Sequence, residues 1–317
     1  MSEQSNNQGR AYEYICINIL NNEINKIRKA EIINNSAYLA DEHAWNLINE
    51  KLKSLLIDSA KSAISTIFEM EPMILENDGD VLKLKIQTDK EGQEGDVRDI
   101  VISRSNVEWE IGLSIKHNHF AVKHSRLAKN LDFGKKWFNV PCSPTYWDSI
   151  NPIFSRLEKL KSQNVKWNEL SAKDKEVYIP LLNAFKNEII RASKVDPSIP
   201  KKMVEYLLGE FDFYKLISID SRKLTRIQSY NMHGTLNHAA RAIKPKIFIP
   251  IAELPTRIVN FDFKPNSTNT LELYMDCGWQ FTFRIHNAET MVVPSLKFDI
   301  QIVGMPATII TIDCYWK

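Results

Sequence analysis

The chain reads as an α/β protein of the α+β kind, with a mixed central sheet flanked by helices and a β-rich C-terminal region. Three observations predict this. Apolar residues recur at helical spacing through the first third, and the period changes to two beyond Val81. After a second helical stretch from Tyr146 to Leu208, short strands bounded by Gly and Pro run on from Ile217. At 317 residues and 44% hydrophobic content, the chain can bury one large or two modest cores. The expected division is a disordered polar tail at 1–9, a helical core with its central strands within 81–116 at 10–215, and a β-rich region at 216–317.

Taken in order, Arg10 to Ile33 carries Tyr14, Ile17, Ile24 and Ile27 at helical intervals. Ser36 is placed to cap a following helix, and Pro72 stops the helical run after Glu71. Val81 to Thr88 alternates Leu82, Leu84 and Ile86 against Lys83, Lys85 and Gln87, the pattern of a half-exposed strand. Val97 to Ser103 and Val107 to Lys116 follow as strands joined by the turn Arg104-Ser105-Asn106, and the three make a meander. Helical spacing returns at Tyr146 to Leu160, Val177 to Ala192 and Pro200 to Leu208, broken by Pro180 and Asp196-Pro197. Later strands are Leu271 to Met275, Trp279 to His286, Leu296 to Val303 and Ala307 to Tyr315.

No apolar run approaches the roughly 20 residues of a membrane span, and the polar opening lacks the features of a secretory signal, so a soluble, cytoplasmic protein is expected. Cys16, Cys142, Cys277 and Cys314 are too dispersed for a zinc finger and too few for a disulfide scaffold, which leaves them as reduced structural thiols. The net charge of +2 conceals an asymmetry: residues 1–115 hold 12 Lys and Arg against 20 Asp and Glu, whereas 116–317 hold 29 against 19. A balance of +10 in the second part suits a polyanion, although a solvated face would give the same composition.

The chemistry is concentrated in GDVRDIVISRSNVEWEIGLSIK, residues 95–116. In its last strand Val107, Trp109, Ile111, Leu113 and Ile115 share one face, and Glu108, Glu110, Gly112, Ser114 and Lys116 the other. Asp99 heads the neighbouring strand, and adjacent strands lie about 4.8 Å apart, so Asp99 can meet Ser114-x-Lys116. An aspartate, a polar neighbour and a lysine suit phosphodiester hydrolysis. Asp99 would hold Mg²⁺, which takes hard oxygen ligands, while Lys116 orients or deprotonates the attacking water. Glu110 precedes Ser114 by four residues, about 13 Å along an extended strand, too far to share a metal with Lys116 unless the strand bends.

These residues resemble the HaeIII family of restriction endonucleases, within the wider PD-(D/E)xK nuclease superfamily. The resemblance is carried by GDVRDI (95–100), EIGLSIKHNHFAVKHSRL (110–127), DFGKKW (132–137), the CSPTYW to PIF segment (142–154), FRIHNAET (283–290) and PSLKFDI (294–300). It implies a PD-(D/E)xK-type sheet and Mg²⁺-dependent cleavage of double-stranded GGCC between the central G and C, leaving blunt ends. It also implies a bacterial setting with a cytosine methyltransferase as functional partner. In the superfamily motif Asp99 matches the metal aspartate and Lys116 the catalytic lysine, while Ser114 stands where the superfamily usually has Asp or Glu. A further carboxylate is therefore needed, and Asp132, Glu71 and, third, Glu110 are the candidates.

Two basic stretches are candidates for DNA contact. The first, after the lysine strand, offers Lys123, His124, Arg126, Lys129 and Lys135 to phosphates. The second, Lys215 to Lys246, offers Arg222, Arg226, Gln228 and Arg241 to base edges, since arginine engages guanine O6 and N7 in bidentate fashion. Arg284, His286 and Asn287 form a third, weaker group. His117-Asn118-His119 spells HNH only by adjacency, and His117, His119 and His124 lack spaced partners for zinc. Another DNA nuclease, or a DNA-binding module without catalysis, is the alternative reading.

Overall fold

The computed structural model describes residues 3–88, 96–120, 122 and 125–317. It forms two compact units, each assembled from separated stretches of chain: Met1–Phe120, Gly209–Glu253 and Ala307–Lys317 in one, Ala121–Leu208 and Leu254–Pro306 in the other. The serial boundary expected at 215/216 differs from this division. It would fall inside a strand, because the chain returns at Phe213 to pair with a strand that ended near His117.

The first unit is a seven-stranded sheet with helices packed on it. α1 (Glu3–Ile24) begins within the stretch read as a tail and stops well short of Ile33. The backbone then turns into β1 (Ala30–Ile32). α2 (Ser36–Leu47) is capped by Asn35, not Ser36: the Asn35 side chain accepts from the Tyr38 amide. α3 (Glu50–Met70) is capped by Asn49, and Pro72 follows it in a 3₁₀ turn. β2 (Leu82–Ile86), β3 (Ile100–Arg104) and β4 (Trp109–His117) make the expected antiparallel meander. β6 (Phe213–Ile219) and β7 (Leu224–Tyr230) form a hairpin, and β12 (Thr311–Tyr315) closes the edge in the order β1-β2-β3-β4-β6-β7-β12. The β1–β2 and β4–β6 pairs are parallel, so the sheet is mixed.

The alternation of β4 decides what packs beneath it. Trp109, Ile111, Leu113 and Ile115 enter one apolar cluster with Tyr12, Ile17 and Leu20 of α1 and Leu56, Ile64 and Ile67 of α3. At the end of β3, Arg104 is fully buried and bonded to Asp80, Glu76 and Asp78, while Arg28 also reaches Asp80.

The second unit joins helices to an antiparallel sheet. α4 (Phe133–Phe138) and β5 (Arg126–Ala128) escaped the periodicity because both are short. α5 (Pro144–Ser162), α6 (Ile179–Val195) and α7 (Ile199–Leu208) match the helical spacing, and Pro180 does not break the run but follows directly on the π-helical turn Asp174–Tyr178 that leads into α6. The sheet runs β5-β11-β10-β9-β8, with β8 Ile258–Phe263, β9 Thr270–Met275, β10 Gln280–His286 and β11 Ser295–Gly304. Phe185 of α6 packs its ring against Phe261, Phe283 and Phe298 on the inner face of that sheet. Among the described residues no helix is long and apolar enough to cross a membrane.

Candidate active site

The register Ile100↔Leu113 sets Asp99, the residue before β3, beside Ser114. The Asp99 backbone is fixed on both sides, its amide donating to Leu113 O at 2.8 Å and its carbonyl accepting from Gln87 at 2.9 Å. Its Oδ2 accepts from the Ser114 hydroxyl at 3.3 Å, the Ile115 amide at 2.5 Å and Lys116 Nζ at 2.8 Å. Among the described residues no hydrogen bond reaches Oδ1. The aspartate is held by one oxygen and open at the other. Burial opposes the Lys116 ammonium, but the Asp99 and Glu13 carboxylates outweigh it and raise its pKa above the ordinary lysine value. Lys116 is therefore a held cation.

Two further groups belong to this centre and were not nominated from the sequence. Glu13, half-buried on α1, interacts with Asp99 and hydrogen-bonds to the buried Asp41 of α2. Burial first, then repulsion from Asp99 and Asp41, push its carboxyl well above the usual range against the pull of Lys116. Its signal was an acid flanked by Tyr12, Cys16 and Ile17 on the apolar stripe of α1. Lys215 lies opposite Ser114 on β6, is 4% exposed, and donates to the Phe120 carbonyl at 3.0 Å. Burial, then Lys116, push its pKa down to about 7, with Asp99 acting in the opposite direction. A lone lysine in the otherwise apolar run Phe213 to Leu216 was its signal.

The candidate carboxylates have other engagements. Glu110 is ion-paired to Arg98 at 2.8 Å, and Arg98 also grips Asp96. Glu71 accepts from Tyr214 at 2.6 Å and from the Asn237 amide at 2.5 Å. Asp132 caps α4, accepting from the amides of Lys135 at 2.8 Å and Cys142 at 3.1 Å. Asp99 Oδ1 is thus the hard oxygen that the centre leaves open, and Glu13 is the further carboxylate that interacts with it electrostatically. Mg²⁺ takes one or two carboxylates and completes its shell with water and phosphate, so this pair fits it. The described residues gather no group of three His, Cys, Asp or Glu suited to a metal. His117 is taken by Asp220 at 2.8 Å, which ties the end of β4 to the turn after β6.

The residues expected at DNA fall into three kinds. Lys123 and His124 lie outside the described residues. Arg226 forms a two-point pair with Asp313 at 2.7 and 2.8 Å, Lys129 pairs with Glu158, and Asn287 donates to the carbonyls of Glu289 and Met291. Gln228 is 9% exposed and accepts from Tyr230. Arg126, Arg222, Arg241 and Arg284 present exposed cations, as does Lys135, which donates to Asn139 on its own helix. His286 sits beside Arg284 at the end of β10.

The model of a family described as HaeIII restriction endonuclease matches residues 9–306. Over 318 residues, covering the whole of both chains, the sequence is 52% identical to the type II restriction enzyme HaeIII of Haemophilus aegyptius. No solved structure matches.

Proposed function

Because the chain belongs to the HaeIII restriction endonuclease family, we propose that it is a type II restriction enzyme that cuts double-stranded DNA at GGCC, between the central G and C, in a Mg²⁺-dependent hydrolysis centred on Asp99, Ser114 and Lys116. The observation that carries this reading is the convergence of Ser114, the Ile115 amide and Lys116 on one oxygen of Asp99. It leaves the other oxygen for a cation beside a fixed ammonium.

Asp99 and Glu13 are the residues that would hold Mg²⁺, which when bound would supply Lewis-acid chemistry at the scissile phosphate and a bound water of lowered pKa. Lys116, kept charged by its two carboxylates, orients the attacking water and offsets charge building on the phosphorane. Ser114 steadies Asp99 through a neutral hydroxyl, and Glu13 provides the acid that position 114 lacks. Lys215, across from Ser114 on β6, donates to the Phe120 carbonyl and so holds the backbone just beyond the catalytic strand. The enzyme acts in the bacterial cytoplasm beside a cytosine methyltransferase that protects host GGCC.

The test is plasmid DNA incubated with the protein in Mg²⁺ or in EDTA, with the ends sequenced. Discrete blunt fragments ending at GG and CC are expected in Mg²⁺ and none in EDTA. A smear or intact DNA overturns the reading in favour of a nonspecific nuclease or a binding module. Asp99→Ala and Lys116→Ala should each lose over about a hundredfold in cleavage rate while retaining duplex binding. Glu13→Gln should raise the Mg²⁺ concentration needed for half-maximal rate, and an unchanged metal titration would remove Glu13 from the shell.

A further inference from the structure

The five-stranded sheet of the second unit has an apolar face and a charged one. Inward go Leu271, Leu273, Phe281, Phe283, Ile285, Leu296, Phe298 and Ile300, all fully buried. On the opposite face the register sets Arg126 of β5 directly across from Lys297 of β11, and Lys297 directly across from His286 of β10. Arg284, two residues before His286, shares that face and stands across from Asp299.

Like charges directly opposed on neighbouring strands destabilise a sheet. Among the described residues, Asp299 alone of the row works against the opposition of Arg126 and Lys297, and it does so in part. Asp299 is engaged by Arg284 at 3.2 Å, and among the described residues Arg126 bonds only the neutral Ser295 hydroxyl, at 3.4 Å. Lys297 is held below the ordinary lysine range by burial and by Arg126, with Asp299 opposing. His286 is likewise held down by burial and by Arg284 and Lys297, again with Asp299 opposing. The apolar side holds this sheet together, and the charged row works against it. Such an arrangement is stabilised by an anion that lies across the strands. Three strands about 4.8 Å apart span roughly 10 Å, the axial length of about three phosphates on one DNA strand.

We propose that this outer face, through the cross-strand row Arg126, Lys297 and His286 with the adjoining Arg284, is a backbone-binding surface for duplex DNA. The proposal rests on the reading of the protein as a nuclease of double-stranded DNA. It assigns the row to phosphates, not to bases: the side chains belong to a regular sheet surface, and their common feature is charge. Lys297, which no motif singled out, is the central residue.

Binding of a fluorescent 30-base-pair duplex with one GGCC site is measured in EDTA from 50 to 200 mM salt, for the full chain and for Lys297→Gln, Arg126→Gln and Lys264→Gln. The last is a control whose ammonium lies 3.9 Å from Glu272 at the far end of the same sheet. Each neutralised phosphate contact lowers the log–log salt slope by about 0.9, so the affinity lost across this fourfold salt range should shrink by about 3.5-fold in Lys297→Gln and Arg126→Gln. It should not change in Lys264→Gln, and the cleaved sequence should stay GGCC in all. Melting temperature at low salt provides a second readout. With the like-charge opposition relieved, Lys297→Gln should melt at the same or a higher temperature, whereas a structural role would lower it. If the unaltered chain cuts GGCC but both row variants keep its affinity and slope, or bind less only because they melt lower, the surface assignment is overturned. If the unaltered chain neither binds nor cuts the duplex, the nuclease reading fails and this proposal with it.

Discussion

Glu71 shows how one side chain sets a pH dependence. It is fully buried at the end of α3, and burial pushes its carboxyl up to about 7 although Tyr214 and the Asn237 amide donate to it and pull it down. A raised folded-state pKa means that the fold favours the acid form. The resulting stability is complete below the unfolded value near 4.5 and is lost as pH rises through 7. The swing is on the order of 3 kcal/mol. Glu71→Gln keeps the shape without the charge, so its advantage over the native chain in urea unfolding should grow from pH 5 to pH 8. A difference that is flat with pH would show that Glu71 does not titrate in this window. The same residue illustrates what a sequence can convey. An acid beside an apolar helix end is visible, but whether it meets a metal or a tyrosine hydroxyl depends on residues 143 and 166 positions away. The meeting of Asp99 with Ser114 and Lys116 was legible because alternation within one strand and its pairing with the next bring them together, whereas Glu13 interacts with them through tertiary packing of α1.

At the scale of the element, β4 has one position where its sequence is dictated by a neighbour. A Cβ on Gly112 would run into Cβ, Cγ and Cδ of Arg98, whose guanidinium bridges Asp96 and Glu110 across the strand. These are the near atoms of the arginine, not its mobile end. Gly112→Ala should therefore destabilise by about 1–3 kcal/mol, read as a lower urea midpoint with an unchanged slope. Cleavage should fall with it, since Ser114 and Lys116 follow on the same strand. An unchanged midpoint would mean that Arg98 moves aside freely. Strands were legible where alternation is strong, as in β2 and β4. β1, β5 and α4 were not, since three to six residues carry too little periodicity to register. The helix capped by Asn35 shows a related limit, because Asn35 and Ser36 are both good caps and only the backbone decides between them.

For the whole molecule, the parallel pairing of β4 with β6 determines the division of the chain. Local pattern does not encode which strand a later one will join, so the change from helical to strand pattern suggests a boundary at 215/216, a point that lies inside β6. β12 matters for the same reason. It covers the edge of β7, its Asp313 pairs with Arg226, and the Trp316 indole beyond it donates to Thr225 at 2.9 Å. A chain lacking Ala307–Lys317 should melt at a lower temperature, by about 10 °C at roughly 2–4 °C per kcal/mol lost, and should lose cleavage. Differential scanning calorimetry that finds the native midpoint would contradict this. The separation of β7 from β12 by residues 231–310 also has a kinetic side. Closing so distant a pair requires a long loop to be ordered first, which places refolding in the slow range of roughly milliseconds to seconds and leaves the β7 edge open meanwhile. An open strand edge is a template for other chains. Recovery of active enzyme from denaturant should therefore fall with protein concentration, as intermolecular pairing at β7 competes with the return of β12.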